Sequence, residues 1–111
     1  MIKASIITVC LNSSKTILDC INSVNIQTYK NIEHIFIDSL STDETVKIIK
    51  KNWKKNFRII TEEDRGVYDA MNKGVKIASG NFICFLNSDD FYRNRNLIEA
   101  ISKQFEEKDL D

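Results

Sequence analysis

The 111-residue sequence predicts an α/β fold: a mostly parallel sheet with helices on both faces. Two observations carry that prediction. Short apolar runs alternate with stretches whose apolar residues recur at helical spacing, in the order β-α-β-α-β-α-β-α. The first and fourth runs are almost continuously apolar, as strands covered on both faces must be. Strands joined through helices take right-handed crossovers, so they pair in parallel.

Each element follows from its residues. Ala4 to Cys10 is rich in β-branched residues and reads as a buried strand. Asn12-Ser13-Ser14 supplies N-cap candidates for a helix carrying Ile17, Cys20, Ile21 and Val24. Ile32 to Asp38 is the second strand. Ser41-Thr42-Asp43-Glu44 reads as a capping box, with Ser41 as cap and Glu44 reaching back, ahead of a helix bearing Val46, Ile49 and Trp53. Phe57 to Thr61 is the third strand. Gly66 precedes a helix whose apolar face reads Val67, Ala70, Met71, Val75 and Ala78, with Ser79-Gly80 as its stop signal. Asn81 to Leu86 is the fourth strand, and a last helix carries Leu97, Ile98, Ile101 and Phe105. Residues 1–111 read as one unit without repeat or linker.

Composition narrows the function classes. Sixteen basic residues balance sixteen acidic ones, which removes any global argument for nucleic-acid binding. No apolar run approaches the length of a transmembrane helix. The start, Met1-Ile2-Lys3-Ala4-Ser5-Ile6, lacks the pattern of a secretory signal, so a cytoplasmic location is expected. Cys10, Cys20 and Cys84 are odd in number, form no C-x-x-C pair and lie in or beside apolar runs. They read as buried reduced thiols in a reducing compartment. His34 stands alone, which argues against zinc and for a packed or edge position in mid-strand.

In open α/β sheets ligands dock beyond the carboxyl ends of the strands. Those ends are Leu11-Asn12-Ser13, Asp38-Ser39-Leu40, Glu62-Glu63-Asp64-Arg65 and Asn87-Ser88-Asp89-Asp90. Three of the four carry carboxylates, and an acidic crevice suits phosphate only where a divalent cation bridges the two. Asp89 and Asp90 admit two readings, ligands of a hard cation or caps of the following helix. No G-x-G-x-x-G or P-loop follows the first strand, so both of those phosphate loops are excluded. A phosphorelay receiver would need acids after the first strand, and none are there.

Five segments carry a resemblance. Ser5-Ile6-Ile7-Thr8-Val9-Cys10-Leu11-Asn12, followed by Gln27-Thr28-Tyr29-Lys30-Asn31-Ile32-Glu33, resembles the opening of glycosyltransferase family 2, whose fold is the Rossmann-like GT-A type. Asp38-Ser39-Leu40-Ser41-Thr42-Asp43-Glu44-Thr45 resembles that family's D-x-x-S-T-D-x-T segment. Glu62 through Gly74 is similar to the block before its metal site, and Asn87-Ser88-Asp89-Asp90 stands where it keeps a D-x-D-type motif. The likeness implies that Val9, Asn12 and Asp38 hold base and ribose. It further implies that Asp64, Arg65, Gly66, Tyr68 and Asn72 line the donor pocket. Asn87 and Ser88 would complete it, with Asp89 or Asp90 as ligand of Mn²⁺ or Mg²⁺. Asn87 replaces the first acid of the usual motif, and Asp38-Ser39-Leu40 lacks the common second Asp and the Gly. The general base of such enzymes is expected beyond Asp111, so no residue here is named catalytic.

The implied function is inverting, metal-dependent transfer of a sugar from a nucleoside-diphosphate donor, by default a UDP-sugar, to a polysaccharide-type or lipid-linked glycan. The alternative is a truncated nucleotide-binding piece that transfers nothing. Lys47, Lys50, Lys51, Lys54 and Lys55 read as a solvated face, against peripheral attachment to the inner face of an anionic membrane. Trp53 reads as a core or rim anchor. Tyr68 divides between donor contact and structure, and Asp69 suits the helix dipole. Arg65 reads as the one cation beside the diphosphate. Self-association through the edge left by a missing half is expected.

Overall fold

A computed structural model describes residues 2–54 and 56–109. The elements alternate as β1 (Ala4–Cys10), α1 (Ile17–Asn25), β2 (Ile32–Asp38), α2 (Thr45–Asn52), β3 (Phe57–Thr61), α3 (Val67–Ile77), β4 (Phe82–Phe85) and α4 (Leu97–Asp109). The four strands form one parallel sheet in the order β3-β2-β1-β4. The α/β expectation therefore holds, and only β4 is shorter than the apolar run suggests. Lys55, Met1 and the last two positions, 110 and 111, lie outside the described residues.

Alternation along the central strands divides the core between two faces. Ala4, Ile6, Ile32 and Phe36 point to one face, where α1, α2 and α4 contribute Ile17, Cys20, Ile21, Ile49 and Ile98. Ile7, Ile35 and Ile37 point to the other, covered by Ala70 of α3. Trp53 belongs to the first face, stacked on Phe57 at 5.6 Å and edge-on to His34 at 5.9 Å. His34 is packed in the core, as its mid-strand position allowed. Its Nε2 meets Thr8 Oγ1 at 2.8 Å, and burial lowers its pKa to about 3, so the ring is neutral.

Four local expectations need correction. Ser41 caps no helix: its amide and hydroxyl both bind the Asp38 carboxylate, and α2 starts only at Thr45 without a side-chain cap. Likewise α1 begins at Ile17 with no side-chain cap. Its first turn closes on the Ser13 carbonyl, which accepts from Thr16 and Ile17. The sheet-facing stripe of α3 is Ala70 and Gly74, not the larger residues: Val67 is 58% and Val75 42% exposed. The reason is steric. A Cβ on Gly74 would come within 2.6 Å of Ile7 Cγ2, so the helix lies too close to the sheet for bulk. Nor does Gly80 cap α3, whose C-cap is Ala78 in extended conformation. Gly80 instead lies against β1, where a Cβ would meet Ser5 Oγ at 2.5 Å and Ser5 N at 2.8 Å.

The amino end of the sheet is held by a buried carboxylate. Glu33 Oε2 accepts from Ser5 Oγ at 2.6 Å, Ser79 N at 2.6 Å and Ser79 Oγ at 3.0 Å, with Lys3 Nζ 3.7 Å from Oε1. Burial alone would raise its pKa. The Ser5 and Ser79 donors and the Lys3 charge outweigh that and hold it below the usual range. Buried Gln27 does comparable work on the opposite face. Its side-chain amide donates to the Ser23 and Asn94 carbonyls, and its oxygen accepts from Ile98 N at 3.2 Å, which docks the start of α4.

Candidate functional site

The sheet order reverses between β1 and β4: the chain moves outward through β2 and β3, then returns to the far side of β1. Such a reversal opens a crevice at the carboxyl edge, because the adjoining loops leave toward different neighbours. Three loops converge there. Asn12 has φ 49°, a left-handed conformation that Asn tolerates. Its amide donates to Ser41 Oγ at 2.8 Å and its Oδ1 accepts from Thr42 N at 2.8 Å, which binds the β1 loop to the β2 loop. Asp38 is fully buried at the end of β2. Ser41 N at 3.0 Å and the Ser41 hydroxyl hold its two oxygens, and Cys10 Sγ approaches at 3.7 Å.

Asp43 secures the same junction. It accepts from Thr45 Oγ1 at 2.5 Å, Thr45 N at 3.0 Å and Ser14 N at 3.1 Å. These donors, the Thr45 hydroxyl first, lower its pKa to about 2. Ser13 extends the junction to the third loop: its amide donates to Thr45 Oγ1 at 2.8 Å, and its Oγ lies 2.8 Å from Ser88 Oγ.

In the β4 loop the two adjacent carboxylates have different surroundings. Asp90 Oδ1 accepts from Phe91 N at 2.8 Å and lies 3.7 Å from Arg93 Nη1, while its own amide closes a turn on Asn87. Asp89 is exposed, and its carboxylate has no hydrogen bond or ion pair among the described residues. Asn87 is exposed and Ser88 half-buried. No group of three His, Cys, Asp or Glu side chains is clustered for a metal among the described residues. The donor set fits a hard divalent cation only as one free carboxylate completed by oxygens of a ligand such as a diphosphate, an arrangement Mg²⁺-type sites commonly use.

The segment after β3 forms a second group. Glu63, Asp64, Arg65, Asp69 and Lys73 line a cleft of about 520 Å³. Asp64 Oδ1 accepts from Gly66 N at 3.0 Å, whereas its Oδ2 is buried without a partner among the described residues. A buried carboxylate oxygen left unpaired is costly, and a ligand hydroxyl or amide would relieve it. Gly66 has φ 116°, which allows the sharp turn into α3. Asp69 takes the Arg65 amide at 2.9 Å, a bond that lowers its pKa, so it braces the turn.

Lys73 is a second cation here, which the sequence reading missed. Its Nζ lies 3.1 Å from Glu62, 3.7 Å from Asp69 and 2.6 Å from the Glu63 carbonyl. The i,i+4 spacing of Asp69 and Lys73 was the available signal. Of the remaining candidates, Val9 is half-buried against the α3-side core, and Asn72 is exposed. Tyr68 is 81% exposed and touches no core residue cluster. The expected residues thus fall into two neighbouring groups, joined where Glu62 N donates to the Asp38 carbonyl at 3.1 Å.

A parallel sheet that reverses order beside a loop-lined acidic edge defines the doubly wound α/β class, whose ligands dock at that edge. The chain belongs to glycosyltransferase family 2: the model of that family, Glycosyl transferase family 2, matches residues 5–111. Among curated relatives, the Escherichia coli UDP-Glc:alpha-D-GlcNAc-diphosphoundecaprenol beta-1,3-glucosyltransferase WfaP is 44% identical over 91 residues, 79% of this chain and 36% of its own length. S. aureus TarS, solved with UDP-GlcNAc, superposes with a TM-score of 0.88 at 30% identity, over 95% of this chain and 31% of that one. The mannosyltransferase PcManGT from Pyrobaculum calidifontis, solved with GDP-Man and Mn²⁺, has a TM-score of 0.79 at 22% identity and shares the GT-A fold. It is matched over 85% of this chain and 29% of its own. The chain spans about a third of the length of the first curated relatives it matches.

Proposed function

We propose that residues 1–111 form the donor-binding part of a glycosyltransferase that moves a sugar from a nucleoside-diphosphate carrier, by default UDP, to a polysaccharide-type or lipid-linked glycan acceptor. One observation carries this reading. The β1 turn, buried Asp38 and Asn87-Ser88-Asp89 are hydrogen-bonded into a single edge at the strand-order reversal. The unpaired Asp64 Oδ2 in the adjoining cleft supports it, because nucleotide sugars are rich in hydroxyl donors. UDP in the TarS complex and in the name of WfaP supports the choice of nucleotide, and the diphosphoundecaprenol of that name supports a lipid-linked acceptor.

In this reading Asn12 and Asp38 orient base and ribose, with Val9 as the apolar floor. Asp64, Arg65, Gly66, Tyr68 and Asn72 surround ribose and diphosphate, and Asn87 and Ser88 complete the pocket. Asp89 holds Mn²⁺ or Mg²⁺ together with the diphosphate, while Asp90 keeps its loop in shape. When bound, the cation neutralises charge on the departing nucleoside diphosphate. Inversion at the sugar is implied by the family likeness, and deprotonation of the acceptor hydroxyl is assigned to no residue of this chain.

No helix among the described residues is long and apolar enough to cross a membrane. A cytoplasmic location, with the exposed Lys47, Lys50, Lys51 and Lys54 toward an anionic inner leaflet, belongs to this proposal. So does self-association at the free β4 edge, where Ile83 and Phe85 are exposed. A second reading is nucleotide binding without transfer by residues 1–111 themselves, since none of them is assigned the deprotonation of the acceptor.

Calorimetry with UDP, with and without Mn²⁺, tests the assignment. Wild-type chain is expected to bind UDP more tightly with the metal, and Asp89→Ala to lose at least tenfold of that gain. No binding, or binding indifferent to both metal and Asp89→Ala, overturns the donor site. Sugar transfer by these 111 residues alone would overturn the second reading.

A further inference from the structure

The sequence marks Ser13 only as part of a strand end and as an N-cap candidate, yet it is where three strand-end loops meet. Its amide donates to Thr45 Oγ1 at 2.8 Å, at the start of α2, and Asp43 fixes Thr45 from the other side. Its carbonyl accepts from Thr16 and Ile17 and so begins α1. Its hydroxyl lies 2.8 Å from the hydroxyl of Ser88, which stands between Asn87 and Asp89 in the β4 loop. Main-chain bonds thus fix Ser13 to the β1 and β2 loops. The side-chain bond is the one described hydrogen bond from that pair of loops to residues 87–89.

This bond spans the place where the sheet order reverses, since β1 and β4 are neighbours across which the chain changes direction. Nothing else described restrains the Asp89 carboxylate, and the next fixed point down the chain is the Asp90 turn. A cation shared between one carboxylate and a diphosphate tolerates little error in the distance between protein and phosphate anchors.

We propose that Ser13 is a positioning residue: through Ser88 it sets the distance between Asp89 and the nucleoside anchors Asn12 and Asp38, so that metal and diphosphate bind together. The proposal rests on the donor-site reading above. It makes a distinctive demand on the thermodynamics. Loss of the Ser13 hydroxyl leaves its two main-chain anchors intact, so nucleoside recognition survives while its coupling to the metal is lost.

The experiment measures UDP affinity by calorimetry in EDTA and in Mn²⁺ for wild type, Ser13→Ala, Ser88→Ala, the double variant and Ser13→Thr. Expected for Ser13→Ala are a metal-free affinity within twofold of wild type and a metal-dependent gain cut at least fivefold; Ser88→Ala should lose that gain to the same extent. The double variant should lose no more of the metal-dependent gain than either single one, because both break the same Ser13–Ser88 bond. Ser13→Thr, which keeps the hydroxyl, should retain the gain. Equal weakening with and without metal assigns Ser13 a merely structural role and overturns the proposal. So do unchanged affinities, or single effects that add in the double variant. A wild type that takes no UDP at all overturns the donor reading and this inference together, which separates the two failures.

Discussion

Strand β2 carries two buried carboxylates five positions apart, and they face opposite fates. Glu33, near the amino edge, is bound by donors distant in sequence, Ser5 and Ser79, and by the Lys3 cation. Asp38, at the carboxyl edge, takes both its strong bonds from Ser41, three residues away, and has no cation among the described residues. The first knits β1, β2 and the end of α3 together. The second folds its own loop and leaves the edge open. Partners drawn from afar mark a group spent on stability, and partners drawn from its own loop mark one that shapes a site.

The largest effect should come from removing the amino-edge carboxylate. Glu33→Ala strands the Ser79 amide and the Ser5 hydroxyl beside an unpaired Lys3. Urea unfolding is expected to report a loss of about 3 kcal/mol or more. The fraction that stays folded should bind UDP as wild type does. Asp38→Ala should do the reverse, weakening UDP at least tenfold while costing about 1 kcal/mol of stability. Equal losses of stability in the two variants would break the comparison.

The glycines sharpen it at the next level. Gly80 is required at the amino edge by close approach, since its Cβ would press on the Ser5 and Lys3 backbone. Gly80→Ala should therefore cost about 1–3 kcal/mol in denaturant unfolding. Gly66 is required at the carboxyl edge by conformation alone, with φ 116° and nothing within 4 Å of the added methyl. Gly66→Ala should cost about 1–3 kcal/mol and be felt in the cleft around Asp64.

Acid has the most graded effect. His34 is neutral in the fold, with its pKa near 3, and titrates near its ordinary 6.5 when unfolded. Below pH 6.5 the unfolded chain takes up a proton that the folded chain refuses, so stability falls with pH, by at most about 1.4 kcal/mol per unit. The loss runs toward pH 3 and is reinforced by Glu33 and Asp43, whose lowered pKa values act in the same direction below about 4.5. His34 is the only histidine in the chain, so unfolding midpoints of His34→Gln between pH 6.5 and 5 should be flat where wild type slopes. A slope that persists in the variant would remove His34 as its source.

The sequence disclosed the eight elements because their periodicities are global properties of each segment. The bounds of β1, β2 and β3 were legible to the residue. Local partners were less so. A capping-box pattern at Ser41 could not reveal that Asp38, just upstream, would claim both its donors. The α3 stripe was misread because only a tertiary approach to Ile7 selects Gly74 over Val75. For the site, motif residues marked the right strand ends, but the bonds that join them escaped. Ser13 meets Ser88 across 75 positions, and no local spacing encodes that meeting.

The strand order also has a consequence in time. β1 is the central strand, yet its second neighbour is β4, and Lys3 meets Asn81 across 78 positions. During synthesis β1, β2 and β3 can pair while one edge of β1 stays bare. Closing that edge waits for Phe82–Phe85, and with it the Ser13–Ser88 contact. Long-range closure of this kind is slow and comes late. The nascent chain therefore has its nucleoside anchors before it has the loop that carries Asp89.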